Sequence, residues 1–212
     1  MMDSDTITAA TLRERLAGTR MPQDPTEVVM PPGSERWPTG MRELLLQSLK
    51  PAGVLIPVIE RAASLSVLLT QRSAELKHHA GQISFPGGRM EEADADILAT
   101  ALRETHEEVG IAPRQVSVIG YLPPMPTVTG YAVTAVVGLV SVAEELVIDT
   151  SEVEYAFEVP LSFLLDRRNQ QPVEHEFHGR RISMIEFVYD DQHIWGATAH
   201  MLMQLGKYLK TE

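Results

Sequence analysis

The sequence predicts an α/β or α+β sandwich, a mixed sheet covered by helices. Three observations carry this prediction. Short runs rich in Val, Leu and Ile recur between turn-forming residues, as at 54–59 and 66–70. A long amphipathic segment at 94–109 interrupts these runs, and another at 198–209 follows the last of them. The chain has 212 residues, enough to bury a core without cross-links, and it has no cysteine to make any.

Taken in order, residues 8–16 have weak helical periodicity. Pro22, Pro25, Pro31, Pro32, Gly33 and Pro38 then break the chain, which predicts irregular structure. Leu44, Leu45 and Leu49 lie at helical spacing, so 41–49 reads as a short helix ahead of Pro51. Residues 1–50 are therefore expected to be an N-terminal extension, partly irregular with short helices, and 51–212 the main domain. Strands are predicted at 54–59 and 66–70. A loop rich in His and Gly follows, and Ile83-Ser84-Phe85 leads into a sharp turn at Pro86-Gly87-Gly88. The helix at 94–109 is closed by Gly110. Strand patterns at 116–121 and 132–142 flank a stiff loop containing Pro123, Pro124 and Pro126. A strand at 157–161, a short helix at 161–165, a hairpin of 182–189 with 193–195 around Asp190-Asp191, and a helix at 198–209 complete the pattern. There is no internal repeat and no low-complexity tract.

Composition narrows the function. Hydrophobic residues make up 44% and charged residues 22%, which excludes a wholly disordered or fibrous chain. Without cysteine there is no thiolate nucleophile and no Cys-ligated zinc or iron–sulfur cluster. A net charge of −11 argues against general affinity for nucleic acid or anionic membrane, so a polyanionic substrate would need local bases or metal ions. Met1-Met2-Asp3-Ser4-Asp5 lacks the basic start and apolar run of a signal peptide, and no uncharged apolar stretch is long enough to span a bilayer. The expectation is a soluble, cytoplasmic protein.

The helix after the double glycine carries the chemistry. Between Glu91 and Glu108 lie seven acids and one base, Arg103. At about 100° per residue, Glu107 falls about −60° and Glu108 about +40° from Glu104, so the three carboxylates share a face. Like charges at these spacings repel, and near a helix C-terminus the macrodipole adds to the cost. A solvated acidic face is the ordinary meaning of such a run. A metal site removes the repulsion instead, and oxygen-only ligands suit Mg²⁺ or Mn²⁺ with substrate phosphates. Arg103 is spaced to pair with Glu107 at i, i+4 and hold a carboxylate in orientation.

These residues resemble the Nudix box, G-x5-E-x7-R-E-U-x-E-E-x-G-U. Arg103-Glu104-Thr105-His106-Glu107-Glu108-Val109-Gly110-Ile111 is similar to its second half, with Thr105 at the first aliphatic position. The first half departs from it. Gly88 is the nearest glycine, one residue further away than in the box, and Ala95 stands where the box has its first Glu. Asp94 and Asp96 flank it, and which acid takes that role is open. A second segment resembles the motif of coenzyme A pyrophosphatases: Leu68-Leu69-Thr70-Gln71-Arg72-Ser73, then Lys77, Gly81 and Phe85-Pro86-Gly87-Gly88. Lys77 replaces the usual Arg, which keeps charge but not bidentate phosphate geometry. Ile194-Trp195-Gly196-Ala197-Thr198-Ala199 resembles the start of the last helix in these proteins.

The resemblance implies a Nudix α/β/α sandwich with a central mixed sheet and a loop–helix–loop metal site. The activity it implies is hydrolysis of the coenzyme A diphosphate to 3′,5′-ADP and 4′-phosphopantetheine, with Mg²⁺ or Mn²⁺. Glu104 and Glu108 are the expected primary metal ligands, with Glu107 a further ligand or the general base and the Gly88 carbonyl a further ligand. Arg103 and Glu107 are the catalytic assignments. Arg72, Lys77 and Gln82 are the substrate-binding ones, with His78 and His79 in the same basic loop. Glu152, Glu154, Glu174 and Glu176 are further acids able to serve as base, and His200, Met201 and Met203 read as packing. The implied partner is a small nucleotide such as coenzyme A, not nucleic acid or membrane. A homodimer also accords with the resemblance, with residues 1–50 available to take part in it. The competing readings are hydrolysis of ADP-ribose, NADH or a dinucleoside polyphosphate, a non-catalytic nucleotide-binding module, and an RNA-end hydrolase, which the charge disfavours.

Overall fold

The computed structural model describes residues 7–31, 34–37, 40–61, 64–77, 79–141, 145–177 and 180–209. Helix α1 (Ala9–Leu16) starts at Thr8, whose hydroxyl oxygen accepts from the Thr11 amide. Its Leu12 and Leu16 are fully buried among strand residues of the main core, so this part of the extension is packed into the domain. Helix α2 (Met41–Leu45) is shorter than expected and its Met41 and Leu45 pack on Ile182.

Strand β1 (Lys50–Arg61) turns into β2 (Ser64–Arg72), antiparallel with Val58 opposite Val67. The short strands β3 (Ile83–Ser84) and β4 (Gly87–Arg89) lead to helix α3 (Ile97–Val109). Then come β5 (Val116–Tyr121), β6 (Met125–Pro126), β7 (Tyr131–Val140) and β8 (Val153–Pro160). Helix α4 (Leu161–Leu165), strands β9 (Gln171–Phe177), β10 (Arg180–Tyr189) and β11 (Gln192–Ile194), and helix α5 (Gly196–Leu209) complete the chain.

The main sheet runs β3-β2-β1-β7-β5, with β4 paired to β1, β6 to β7 and β8 to β2. It is mixed: β1 and β7 are parallel over ten residue pairs, and the other pairings are antiparallel. β1 is buried on both faces, and its alternation divides the core. Leu55 and Ile59 join Leu68, Ala101, Val109 and Val136 under α3. Val54, Ile56 and Val58 join Leu12, Leu16, Leu202 and Leu205 under α1 and α5. The α/β/α sandwich expected from the sequence is thus present. Helix α3 lies close on the sheet at Gly53, where a Cβ would stand 2.6 Å from the Ile97 carbonyl oxygen.

Several boundaries differ from expectation. Helix α3 begins at Ile97, not 94, because the Asp96 carboxylate caps it, accepting from the Ala99 amide at 2.8 Å. Strand β8 starts four residues before the expected 157, carrying Glu154 and Glu158 on a strand with intermediate exposure. Strand β9 was not expected: Gln171, Pro172, Glu174 and Glu176 are exposed, and the half-buried Val173 and His175 that alternate with them make too short an apolar pattern to reveal it. The expected end of β7 at Val142 lies outside the described residues. Gly110 closes α3 with φ 75°, as its position predicted.

Candidate active site

Two local arrangements bring the acids of α3 against backbone. The antiparallel pairing of β4 with β1, Gly53 opposite Gly88, lays the double glycine beside the helix. A side chain at the second glycine would have to push Glu104 aside. A Cβ on Gly88 would lie 2.5 Å from Glu104 Cδ and 2.6 Å from both its carboxylate oxygens, so the carboxylate occupies the space that any other residue would fill.

Glu108 is 2% exposed. Its Oε2 accepts from the Gly87 amide at 3.3 Å, while its Oε1 is buried without a hydrogen-bond partner. The nearest cation is Arg72, with Nη1 3.7 Å from Oε1. Burial pushes the Glu108 carboxyl up to about 8, with Arg72 opposing and the charges of Glu104 and Glu152 reinforcing. Burial also raises Glu104, against its hydrogen bond to Arg103.

Arg103 is fully engaged. Its Nε and Nη2 donate to the two Asp94 oxygens, each at 2.9 Å, in the bidentate form. Nη1 donates to Glu104 Oε1 and to Glu107 Oε2, also each at 2.9 Å. Asp94 also accepts from the Glu91 amide and the Thr100 hydroxyl, and the Arg103 hydrogen bonds hold its carboxyl well below the usual range. The acid left open at the Ala95 position is therefore resolved by geometry: Asp94 orients Arg103, and Asp96 caps the helix. Arg103 thus ties Asp94 to two of the three acids of the helix, Glu104 and Glu107.

The expected metal trio divides. Glu107 stands about 100° around the helix from Glu108, and its side chain is 55% exposed beside Arg103. Glu104 and Glu108 turn inward. Among the described residues no group of three His, Asp or Glu side chains is gathered into a metal shell. The inward pair nevertheless fits a divalent cation: both carboxylates are oxygen donors, one buried oxygen has no partner, and burial makes the uncompensated charge costly.

Of the basic loop, Arg72 reaches the acids. Lys77 is exposed, Gln82 bonds the His79 ring nitrogen at 2.7 Å, and His78 lies outside the described residues. Glu152 is the downstream acid whose charge acts on both Glu104 and Glu108. Its loop is tied to the site, because the Asp149 amide donates to the Glu108 carbonyl at 3.0 Å and the Ser73 amide to the Glu152 carbonyl at 2.8 Å. Glu154 is held by Gln71 at 3.2 Å, and Glu174 and Glu176 sit on β9 in the other sheet.

Residues 49–187 match the family model of the NUDIX domain. The chain belongs to the Nudix hydrolase family. It is 44% identical over 154 residues to the uncharacterized Nudix hydrolase NudL of Citrobacter koseri, covering 73% of this chain and 80% of that one. To NudL of Escherichia coli O1:K1 it is 42% identical with the same coverage. Among solved structures it is similar to a MutT/nudix family protein from Enterococcus faecalis, with 17% identity and a TM-score of 0.47, over 76% of this chain and 61% of that one. It is also similar to the NUDIX domain of Shewanella oneidensis NrtR complexed with ADP ribose, with 21% identity and a TM-score of 0.46, over 56% and 77%. Nudix hydrolases act on phosphoric anhydrides and generally use divalent metal ions, and the carboxylate pair on the Nudix helix α3 is of the type that holds them. No helix among the described residues of this Nudix protein is long and apolar enough to cross a membrane.

Proposed function

We propose that this Nudix hydrolase cleaves the diphosphate of coenzyme A or a coenzyme A derivative, giving 3′,5′-ADP and 4′-phosphopantetheine. The observation that supports this is where the ends of the 68–88 motif lie. Arg72 from one end and the Gly87 amide from the other both approach the Glu108 carboxylate, at 3.7 and 3.3 Å. The segment that resembles the coenzyme A motif is thus the segment that encloses the proposed metal ligands.

In this reading Glu104 and Glu108 hold Mg²⁺ or Mn²⁺, with the Gly88 carbonyl as a further ligand. Such cations offset the diphosphate charge and polarise its phosphorus. Arg72 contacts a phosphate oxygen, and Lys77 and Gln82 extend the substrate contact along the loop. Glu107 or Glu152 takes the proton of the attacking water. One water adds across the P–O–P linkage, so each product leaves with one phosphate of the pair. Arg103, fixed by Asp94, keeps Glu104 and Glu107 aimed.

Chromatographic product analysis tests the proposal. The protein is given coenzyme A, ADP-ribose, NADH and a dinucleoside polyphosphate side by side, first with Mg²⁺ and then with Mn²⁺. Release of 3′,5′-ADP with poor turnover of the others supports it. Faster cleavage of another substrate refutes the coenzyme A reading while leaving the metal pair intact.

A further inference from the structure

We infer that Arg72 competes with the divalent cation for Glu108, and that a substrate diphosphate lifts this competition, so that metal and diphosphate bind synergistically. The inference rests on the reading of Glu108 as a metal ligand, and goes beyond it in giving Arg72 a role before substrate arrives.

The backbone around Arg72 is pinned by hydrogen bonds on both sides, which sets where the side chain starts. The pairing of β2 with β8 shifts register here: Gln71 faces Tyr155 and Arg72 faces Val153, with Glu154 passed over. Such bulges redirect side chains beside active sites. The Arg72 amide donates to the Gln82 carbonyl and its carbonyl accepts from the Gly81 amide, both at 3.0 Å. The following amide, of Ser73, is bound to Glu152.

The side chain on this fixed base is not seated. Its Nη1 stands 3.7 Å from Glu108 Oε1, close enough to attract but too far to hydrogen-bond. Arg72 Nε and Glu108 Oε1 are both buried without partners. Arg103, on helix α3, is the contrast: it makes four hydrogen bonds of 2.9 Å to carboxylates. Arg103 is thus a fixed structural cation, and Arg72 a loosely held one. A buried polar atom left unpaired is costly, so each member of the Arg72–Glu108 pair gains from a better partner.

Those partners are complementary. A divalent cation suits Glu108, and a phosphate oxygen suits the guanidinium. A cation alone would sit against Arg72, positive against positive. A diphosphate arriving with it places negative charge between the two and satisfies both.

The test is Mn²⁺ binding measured by electron paramagnetic resonance of the free ion, without turnover. The second probe is methylenediphosphonate, a diphosphate mimic that is not hydrolysed. In the wild type, the mimic should tighten Mn²⁺ binding by about tenfold or more. Arg72→Met, which keeps the aliphatic stem, should bind Mn²⁺ alone about tenfold more tightly than wild type, and the mimic should add little. Arg72→Lys keeps the charge and should bind Mn²⁺ alone as weakly as wild type, which also covers the case of a misfolded Met variant. Equal or weaker Mn²⁺ binding by a folded Arg72→Met, or tightened binding by Arg72→Lys, overturns the inference. Undiminished Mn²⁺ binding by Glu108→Gln overturns the ligand reading beneath it, and is seen separately.

Discussion

Replacing Glu108 by Gln should make the metal-free protein more stable and the enzyme inactive. The carboxyl ordinarily titrates at 4.5, and burial in the fold raises it to about 8. Between those values the native state holds a proton that the unfolded chain has released. Stability is therefore fully present below 4.5 and is lost as pH rises towards 8. At pH 7 the loss is about 1.36 × 2.5, or about 3 kcal/mol. Gln has the shape of the protonated acid and no charge to lose, so the variant avoids this cost. In EDTA at pH 7 it should melt about 6–12 °C above wild type, taking about 2–4 °C per kcal/mol for a chain of this size. The gap should widen from about 2 kcal/mol at pH 6 to about 4 at pH 8. Mg²⁺ should raise the wild-type melting temperature and leave the variant unmoved, while turnover falls by orders of magnitude. Thermal melts with and without Mg²⁺, alongside steady-state turnover, measure all of this. A variant no more stable than wild type in EDTA, or a gap that ignores pH, would refute the electrostatic account. Unchanged turnover would refute the assignment of Glu108 as a ligand.

Four further outcomes are expected. Gly88→Ala puts a methyl 2.5 Å from Glu104 Cδ and must displace that carboxylate, so kcat should fall about 100-fold; a wild-type kcat contradicts the site geometry. Asp94→Ala strips Arg103 of its bidentate partner and leaves a partly buried cation, so urea unfolding should show a loss of about 2–3 kcal/mol; a neutral result means Arg103 is held without Asp94. Leu16→Ala empties a fully buried position and should cost about 3 kcal/mol in the same assay, whereas a helix lying loosely on the surface would show almost none. His200 is kept neutral by burial, so the unfolded chain takes up a proton below its ordinary 6.5 before the native state does. Relative to wild type, His200→Asn should therefore gain melting temperature as pH falls below about 6.5, since only the wild type loses this contribution and Glu108 acts on both alike.

The parts of the site that lie on one element were legible in the sequence. Helical geometry alone put Glu104, Glu107 and Glu108 together and paired Arg103 with Glu107. What it left open was which acids turn inward, because that depends on what the helix packs against. The double glycine and the close approach at Gly53 settle it in favour of Glu104 and Glu108. Asp94 was visible only as a neighbour of the box position, since its role requires a nine-residue span folded back over the helix start. Glu152 was one of four downstream acids named from the sequence, with nothing there to single it out: it comes near the site through backbone bonds from a loop more than forty residues downstream. The fold followed the same rule. Buried β1 and β7 announced themselves as apolar runs, while β9 is an edge strand with exposed Pro172, Glu174 and Glu176 on one face, and its register is set by β10 alone.

The two inward carboxylates are unequal, and that inequality gives the site its character. Both sit in the C-terminal half of α3, where the helix dipole disfavours negative charge. Glu104 has a cation hydrogen-bonded to it, fixed in turn by Asp94. Glu108 is more deeply buried and has one amide and a distant guanidinium. The fold thus satisfies the charge of one carboxylate and leaves the other short of partners. A fully satisfied pair would make a more stable helix and a poorer ligand, because a cation would have to displace contacts already made. The unpartnered Glu108 oxygen is destabilising in the empty protein for the same reason that it is useful in the loaded one: the charge it lacks is the charge a divalent ion brings.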